Sequence, residues 1–197
     1  MSVVERRWML FVDGENFTIR GQAVAERNGI TLAENCLFKR DKFLWFSSPG
    51  GTVPDRMGPA QHLLEPFAIR KTYYTSVTGS EEVISGIRQQ LRKLVFDPQV
   101  FKKTRSEEKA KGVDIALTKD MLCHAFRQNY DIAVLVAGDG DYVPLVEELK
   151  RLGKRVHIAF FENDGMNPEL KLACDAFQDI TPFFIASWKP ATTANII

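Results

Sequence analysis

Residues 131–153 have the sequence DIAVLVAGDGDYVPLVEELKRLG, in which an apolar run is followed by a turn and an amphipathic segment. The run Ile132–Ala137 predicts a strand that is buried on both faces and is therefore central in its sheet. The segment after it predicts a helix over Tyr142–Leu152, with apolar residues at helical spacing. Asp139 and Asp141 lie in the glycine-flanked turn between the two elements. In doubly wound sheets, ligands bind at this end of the strands.

Strand-length apolar runs alternate with helical periodicity along most of the chain, which predicts successive βαβ units. We therefore expect an α/β fold of three layers, α/β/α, with a mostly parallel central sheet and strand order about 3-2-1-4-5. The predicted strands are Arg7–Val12, Phe67–Thr75, Val100–Thr104, Ile132–Ala137 and Arg155–Phe161, with a last one near Ile180–Ile185. The predicted helices are one after the N-cap Ser80, with a buried stripe of Val83, Ile87, Leu91, Leu94 and Val95, and others over Val113–Phe126, Tyr142–Leu152 and Pro168–Phe177.

Length and composition suit one globular domain, since the chain has 197 residues of which 45% are hydrophobic. We predict a single domain over 1–187, with an insertion at about 39–64 and a tail at 188–197. Lys and Arg total 26 against 25 Asp and Glu. Net charge therefore neither favours nor excludes a nucleic acid as partner.

Cysteine usage and hydropathy bear on the location of the protein. The three cysteines form no CxxC pair, which is typical of a reduced intracellular protein without disulfides or a zinc site. The first residues are predicted to form a strand rather than a signal peptide, and no apolar run approaches the roughly 20 residues needed to cross a bilayer. We expect a cytoplasmic protein that does not associate with membranes.

The predicted insertion contains the sequence LFKRDKFLWF, which could form an extended pair or an edge strand. It mixes basic with aromatic residues, namely Lys39, Arg40, Lys42, Phe43, Trp45 and Phe46. Such a mixture can stack on bases or dock a partner, including a second copy of the chain. The alternative is that the aromatic residues cover the flank of the domain.

Four aspartates each follow a predicted strand at the point where a helix begins: Asp13, Asp114, Asp139 and Asp141. In a parallel sheet these positions lie along one edge, so the side chains should meet in one crevice. Clustered carboxylates repel one another unless they hold a hard cation such as Mg²⁺ or Mn²⁺. Asn16 could orient a bound water or Asp13. The alternatives are helix capping by the aspartates and a turn role for Asn16.

Asp114 begins a helical face that also contains residues 118, 121, 122 and 125, and this face is predicted to be largely core. A carboxylate there would pay for desolvation unless it is paired, metal-bound or open to a cleft. N-capping by Asp114 is the competing interpretation.

Carboxylates that hold one or two such ions can activate water and neutralise charge on a phosphoryl oxygen, which predicts phosphodiester hydrolysis. Signatures of other chemistries are absent from the sequence: it contains no GxxxxGK[ST], no GxGxxG and no GxSxG. The three histidines, His62, His124 and His157, are scattered and are predicted to be structural.

Several side chains are candidates for contacts with a nucleic-acid substrate. Basic residues lead into Asp114, namely Lys102, Lys103, Arg105 and Lys111. A solvated loop is the alternative for this stretch, since Glu107 and Glu108 interrupt it. Tyr73 and Tyr74 end the second predicted strand and could stack on bases, although one of them should be core by alternation.

Three segments in order, FVDGEN at 11–16, KGVDIALTKDM at 111–121 and VLVAGDGDYVPLVEELKRLGKRVHI at 134–158, resemble the NYN domain family, in its LabA-like branch of the PIN-like nucleases. The resemblance extends from about Trp8 to Asp179 apart from the insertion. It implies a Rossmann-like, PIN-like fold, an acidic Mg²⁺ or Mn²⁺ centre and single-strand ribonuclease activity. By match, the acidic constellation would be Asp13, Asn16, Asp114, Asp139 and Asp141.

Some positions depart from the family pattern or match it only weakly. The usual serine before the Gly-Asp pair is Ala137, which removes a hydroxyl beside Asp139 but no ligand. In LACDAFQDI, either Asp175 or Asp179 could face the site, with helix capping or exposure as alternatives. The segment GDGD also suits the DxD of topoisomerase-primase domains, but the glutamate those domains need is not at the end of the first strand.

Two hypotheses of different classes follow. The first is a metal-dependent nuclease, more consistent with an RNA than a DNA substrate, that loses cleavage when Asp13 or Asp139 becomes asparagine. The second is a non-catalytic NYN-type RNA-binding or regulatory scaffold module, because some members of the family are regulatory.

Overall fold

The computed structural model describes residues 6–46, 68–103 and 112–188. The strands of this part are β1 (Trp8–Asp13), β2 (Phe38–Lys39), β3 (Phe43–Leu44), β4 (Arg70–Val77), β5 (Asp97–Lys102), β6 (Ile132–Val136), β7 (Arg155–Phe160) and β8 (Ala176–Asp179). The helices are α1 (Gly14–Arg27), α2 (Glu81–Lys93), α3 (Val113–Phe126), α4 (Val143–Arg151), α5 (Pro168–Ala173) and α6 (Thr181–Trp188), and a 3-10 turn over Gly140–Tyr142 precedes α4.

The central sheet has the order β5-β4-β1-β6-β7-β8, and each neighbouring pair is parallel. Helices pack on both faces, which gives the three-layer α/β/α arrangement. The predicted fold class and the order 3-2-1-4-5 are confirmed, with β8 added beyond the fifth strand. Among the described residues the outermost strands of the sheet are β5 and β8, and β5 contains Pro98. Because β1 and β6 are adjacent at its centre, their carboxyl ends lie side by side.

The chain after α5 differs from the prediction. The strand predicted near Ile180–Ile185 is wrong, because α6 occupies that segment and the preceding Ala176–Asp179 forms β8. The helix predicted over Pro168–Phe177 ends at Ala173 for the same reason. The Asp179 carboxylate accepts hydrogen bonds from both the backbone N–H and the hydroxyl of Thr181, at 2.9 and 2.6 Å, and so caps the start of α6.

The buried stripes of two helices are also shifted from those predicted. In α2 the buried residues are Ile84, Ile87 and Leu91, whereas Val95 lies beyond the end of the helix and is 71% exposed. In α3 the buried residues are Val113, Leu117, Met121 and Ala125. Met121 and Ala125 are buried as predicted, whereas Val113 and Leu117 take the places predicted for Asp114 and Thr118. Asp114 is consequently exposed rather than the head of the core stripe.

The described part of the predicted insertion forms a two-stranded antiparallel ribbon of β2 and β3. Its aromatic residues are buried: Trp45 packs edge-on against Phe96 at 4.8 Å between ring centroids, and Phe46 against Phe184 at 5.8 Å. These rings are therefore not available to stack on bases, and the interpretation that they cover the flank of the domain is confirmed. Residues 47–64 of the predicted insertion lie outside the described residues, and its role in a dimer or partner contact stays a prediction.

Within the described ranges, no helix combines the length and the apolar character needed to cross a membrane.

Candidate active site

Asp13 is the last residue of β1 and is buried, with 4% of its surface exposed. Its Oδ1 accepts a hydrogen bond from the backbone N–H of Asn16 at 3.0 Å and so caps α1. Its Oδ2 accepts a second bond from the Tyr142 hydroxyl at 2.9 Å. The carboxylate is thus fixed at the carboxyl end of β1 and points towards the loop that follows β6.

Asn16 links α1 to this loop. Its side-chain oxygen accepts a hydrogen bond from the backbone N–H of Gly138 at 3.0 Å. Gly138 has no room for a side chain, since an added Cβ would lie 2.4 Å from the Gly165 carbonyl oxygen and from the Phe160 ring. The segments FVDGEN and VLVAGDGDYVPLVEELKRLGKRVHI are therefore joined directly, and Asn16 acts here through the backbone of the Gly-Asp turn.

Tyr142 connects two of the predicted acids. Its hydroxyl lies 2.9 Å from Asp13 Oδ2 and 3.2 Å from Asp114 Oδ1. A phenol carries one proton, so it can donate to only one of these carboxylates at a time. The two carboxylates are therefore held around one polar atom, although Asp13 and Asp114 belong to different elements.

Burial is the main cause of the shifted pKa values of Asp13 and Tyr142 in this site. The pKa of the Asp13 carboxyl is raised from 3.8 to about 7. Burial is the largest cause, the Asn16 N–H and the Tyr142 hydroxyl lower the pKa, and the Asp114 and Glu15 charges add to the rise. The pKa of the Tyr142 hydroxyl is raised by burial and then by Asp13 and Asp114, so that the hydroxyl keeps its proton at neutral pH. A cation beside Asp13 would oppose the effect of burial.

The acids surround a cavity of about 100 Å³, which we call the acidic cavity. Four carboxylates line it: Asp13, Glu15, Asp114 and Asp139. Asn16 also lines it, whereas Asp141 is exposed and is not among the lining residues. The backbone N–H of Asp141 instead donates to Asp139 Oδ1 at 3.1 Å. Four of the five residues predicted from the resemblance are thus brought together, and Asp141 supports Asp139 through its backbone.

The model of the NYN domain matches residues 7–181, which is most of the chain. The chain belongs to the NYN domain family. NYN domains are members of the PIN-like nuclease superfamily, and this supports a nuclease-type role.

A solved structure shows the same fold as this NYN domain. It is the crystal structure of a protein of unknown function from Vibrio parahaemolyticus, with 17% sequence identity and a TM-score of 0.61. The match covers 91% of this chain and 96% of that one. At this identity the likeness concerns the fold alone. No curated protein matches the chain significantly.

NYN and PIN-like nucleases generally use divalent metals. The acidic cavity is the part of this NYN domain whose side chains suit such an ion. The donor atoms fit, because the acidic cavity offers carboxylate oxygens of the kind that Mg²⁺ and Mn²⁺ prefer. Within residues 6–46, 68–103 and 112–188, no three Asp, Glu, His or Cys side chains are grouped closely enough to bind an ion together. Asp13 and Asp114 would form the centre of such a site, and a further carboxylate would have to move towards them.

Two residues of the candidate site, Tyr142 and Glu15, were not predicted from the sequence. Tyr142 follows the GDGD segment, and its role depends on Asp13, 129 residues away. Glu15 lines the acidic cavity, where it accepts hydrogen bonds from the Ser76 hydroxyl at 2.6 Å and from the Lys103 ammonium at 2.8 Å. Both flank a predicted acid in the sequence, which is the local signal that could have indicated them.

The predicted contacts to nucleic acid have different outcomes. Tyr74 is 1% exposed and donates to Asp120 at 3.0 Å, so its ring is not available to stack on a base. Tyr73 is fully buried as well, which corrects the expectation that only one of the pair is core. Lys102 is exposed and pairs with Glu81, whereas Lys103 is largely buried beside Glu15. Arg105 and Lys111 lie outside the described residues.

The two further acids suggested by the resemblance have structural partners. Asp175 Oδ2 accepts a hydrogen bond from the N–H of Val156, near the start of β7, which is the edge of the sheet opposite the acidic cavity. Asp179 caps α6 through Thr181 and also accepts a bond from the Glu162 N–H at 3.3 Å. Both therefore act as local acceptors of backbone hydrogen bonds.

Proposed function

We propose that this NYN domain, of the LabA-like branch, is a nuclease that hydrolyses phosphodiester bonds in single-stranded RNA with the aid of Mg²⁺ or Mn²⁺. The observation that carries the proposal is the arrangement of Asp13 and Asp114 within 2.9 and 3.2 Å of one hydroxyl oxygen. Asp139 lines the same cavity. These three carboxylates are the proposed ligands, and Asp141 holds Asp139 in place.

Asp13, Asn16 and Asp141 have different roles in the proposed site. Asp13 supplies a buried carboxylate on the rigid end of a central strand, which reduces the reorganisation needed when a cation binds. Asn16 and Asp141 fix the two loops that carry the acids, through the bonds to Gly138 and Asp139. A bound divalent ion would lower the pKa of a water molecule and neutralise charge on a phosphoryl oxygen.

The direct test is cleavage of labelled single-stranded RNA and DNA by the purified protein with Mn²⁺, with Mg²⁺ or with a chelator. We expect cleavage of RNA with a metal and none with the chelator. Asp13→Asn and Asp139→Asn should abolish cleavage while the circular dichroism spectrum is retained. Lys93→Gln, an exposed change at the end of α2, serves as the control that keeps activity.

Two results would contradict the nuclease proposal. Equal signals with metal and with chelator would mean that the activity does not need the ion or comes from a contaminant. Undiminished cleavage by both aspartate variants would mean that the acidic cavity is not the site.

A non-catalytic RNA-binding or regulatory module is the second candidate. One observation favours it: Asp13 and Asp139 each accept hydrogen bonds that stabilise local turns, so the acids have a structural use of their own. In that case the wild type would bind RNA without cleaving it under any metal condition. Binding would then survive the Asp139→Asn substitution.

A further inference from the structure

A second cavity, of about 370 Å³, lies beside the acidic cavity and shares Glu15 and Ile19 with it. We call it the basic cavity because three cationic side chains line it: Arg40, Lys42 and Lys103. The rest of its lining consists of a second acid, Asp41, and of four hydroxyl residues: Thr18, Thr75, Ser76 and Thr78. The two cavities are therefore neighbours with opposite charge character, separated by the wall that Glu15 and Ile19 form.

The ribbon of β2 and β3 brings two of these cations to the cavity. Its turn closes with a hydrogen bond from the Lys42 N–H to the Lys39 carbonyl at 3.0 Å, and Asp41 adopts a positive φ of 56° within it. Aspartate is among the residues that tolerate this conformation best. The carbonyl of Lys42 in turn accepts a bond at 3.0 Å from the hydroxyl of Thr75, which is 1% exposed. The turn that carries Arg40 and Lys42 is thus fixed to the end of β4.

The shared acid Glu15 is already paired with Lys103, so it does not oppose the other two cations, Arg40 and Lys42. Both carboxylate oxygens of Glu15 have partners, because Oε1 accepts from the Lys103 ammonium and Oε2 from the Ser76 hydroxyl. Ser76 is 2% exposed, so its hydrogen bond to Glu15 is largely shielded from water. Glu15 therefore positions Lys103 at the wall between the two cavities.

Beyond the pair of Glu15 and Lys103, two cations, Arg40 and Lys42, line the basic cavity against one carboxylate, that of Asp41. Asp41 is held through its Oδ1 by the Gln22 amide at 3.1 Å, and its contact with Arg40 is 3.8 Å, too long for a hydrogen bond. No carboxylate in the described ranges forms an ion pair with Lys42. Arg40 and Lys42 are therefore able to engage an anion from outside.

We propose that the basic cavity binds a backbone phosphate of a single-stranded nucleic acid whose neighbouring phosphodiester lies in the acidic cavity. The inference rests on the proposed function for the identity of the ligand. A cavity lined by carboxylates repels a polyanion, so the strand needs cations close by to be held there. Guanidinium and ammonium groups are the side chains best suited to phosphate oxygens, and the hydroxyls can add hydrogen bonds.

The test is binding of a fluorescent single-stranded RNA to the full protein in the presence of chelator, measured by anisotropy over a range of salt concentrations. Each lost phosphate contact should lower the affinity about fivefold at about 0.1 M salt and reduce the slope of log K against log salt by about 0.7. We expect these changes for Lys42→Gln and for Arg40→Gln. The matched control, Lys93→Gln, removes an exposed lysine at the far end of α2 and should change neither quantity.

Inorganic phosphate provides a second arm, because a free anion and a strand could use the same chemistry. It should compete only weakly with the strand, and competition at the affinity of the strand itself would overturn the proposal in favour of a free-anion site. Equal affinities and salt slopes for Lys42→Gln, Arg40→Gln and Lys93→Gln would also overturn it. Thermal unfolding of each variant checks that the ribbon remains folded.

The outcomes separate this inference from the nuclease proposal. If the wild type cleaves no substrate but Lys42→Gln weakens RNA binding as stated, the result supports phosphate binding in the basic cavity and contradicts the nuclease proposal. If the wild type cleaves RNA with metal but Arg40→Gln and Lys42→Gln bind RNA as tightly as the wild type, the result supports the nuclease proposal and contradicts phosphate binding in the basic cavity.

Discussion

The side-chain oxygen of Asn16 and the backbone N–H of Gly138 are joined by a hydrogen bond of 3.0 Å, across 122 residues of sequence. This bond ties the start of α1 to the loop that follows β6. Because Gly138 is buried, its N–H would have no partner if the acceptor were removed. An unsatisfied buried donor costs more than the bond itself contributes.

Asn16→Ala should therefore lower the free energy of unfolding by about 1–3 kcal/mol, measured by urea denaturation. The matched control is Asn35→Ala, which removes an equivalent acceptor from the N–H of Leu37 at an exposed position. Its cost should be smaller, because water can replace the lost oxygen. Equal losses for the two variants would show that the bond to Gly138 has no special weight.

Tyr142→Phe should raise the pKa of the Asp13 carboxyl above its value of about 7, because the hydroxyl is one of the groups that lower it. The measurement is a titration of the Asp13 carboxyl carbon by NMR in metal-free protein. Tyr130→Phe is the control, since that buried hydroxyl donates to the Met121 carbonyl instead. An unchanged or lower pKa in Tyr142→Phe would contradict the assignment of the hydroxyl as a donor to Asp13.

The pH dependence of the free energy of unfolding should reflect the raised pKa of Asp13. Its pKa is about 7 in the folded protein and 3.8 in the reference state, so the folded state binds more protons between these values. The contribution of this group is fully present below about pH 4 and is lost as the pH rises to about 7, by up to about 4 kcal/mol. Subtracting the curve of Asp13→Asn from that of the wild type in chelator should isolate this fall. A difference that is flat over the window would refute the raised pKa.

A divalent ion should stabilise the folded protein in proportion to its affinity for the folded state. Mn²⁺ or Mg²⁺ should raise the melting temperature of the wild type, and Asp114→Asn should remove most of the rise. Asp141→Asn should keep it, because that side chain does not line the acidic cavity. The rise should shrink between about pH 8 and about pH 6, since the ion must displace the proton of Asp13. An equal effect in Asp114→Asn would place the ion elsewhere.

The fold could be predicted from the sequence because its central strands are long, apolar and bounded by glycine or acidic turns. β6 is an example, since its five residues after Asp131 are all apolar. A strand that is apolar on both faces is typical of the middle of a sheet. The segment around Ile180 could not be assigned in the same way, because its aromatic and branched residues suit a strand as well as a helix. The capping bonds from Asp179 to Thr181 determine the outcome there.

The candidate site was predictable to the extent that it follows from topology. Asp13, Asp114 and Asp139 come together because parallel strands present their carboxyl ends at one edge. The bridging hydroxyl of Tyr142 and the pairing of Glu15 with Lys103 were not predictable, because each depends on side chains far away in the sequence. Tyr74 was misassigned because strand alternation does not reveal that both faces of β4 are covered.

Pro98 in the outer strand β5 has a consequence for how the protein behaves in concentrated solution. An exposed outer strand is a template on which another chain can add a strand and begin to aggregate. The proline nitrogen carries no hydrogen and cannot donate to such an intruding strand, and prolines in sheets are confined largely to this location. The protein therefore carries protection against edge-to-edge aggregation on the β5 side of its sheet.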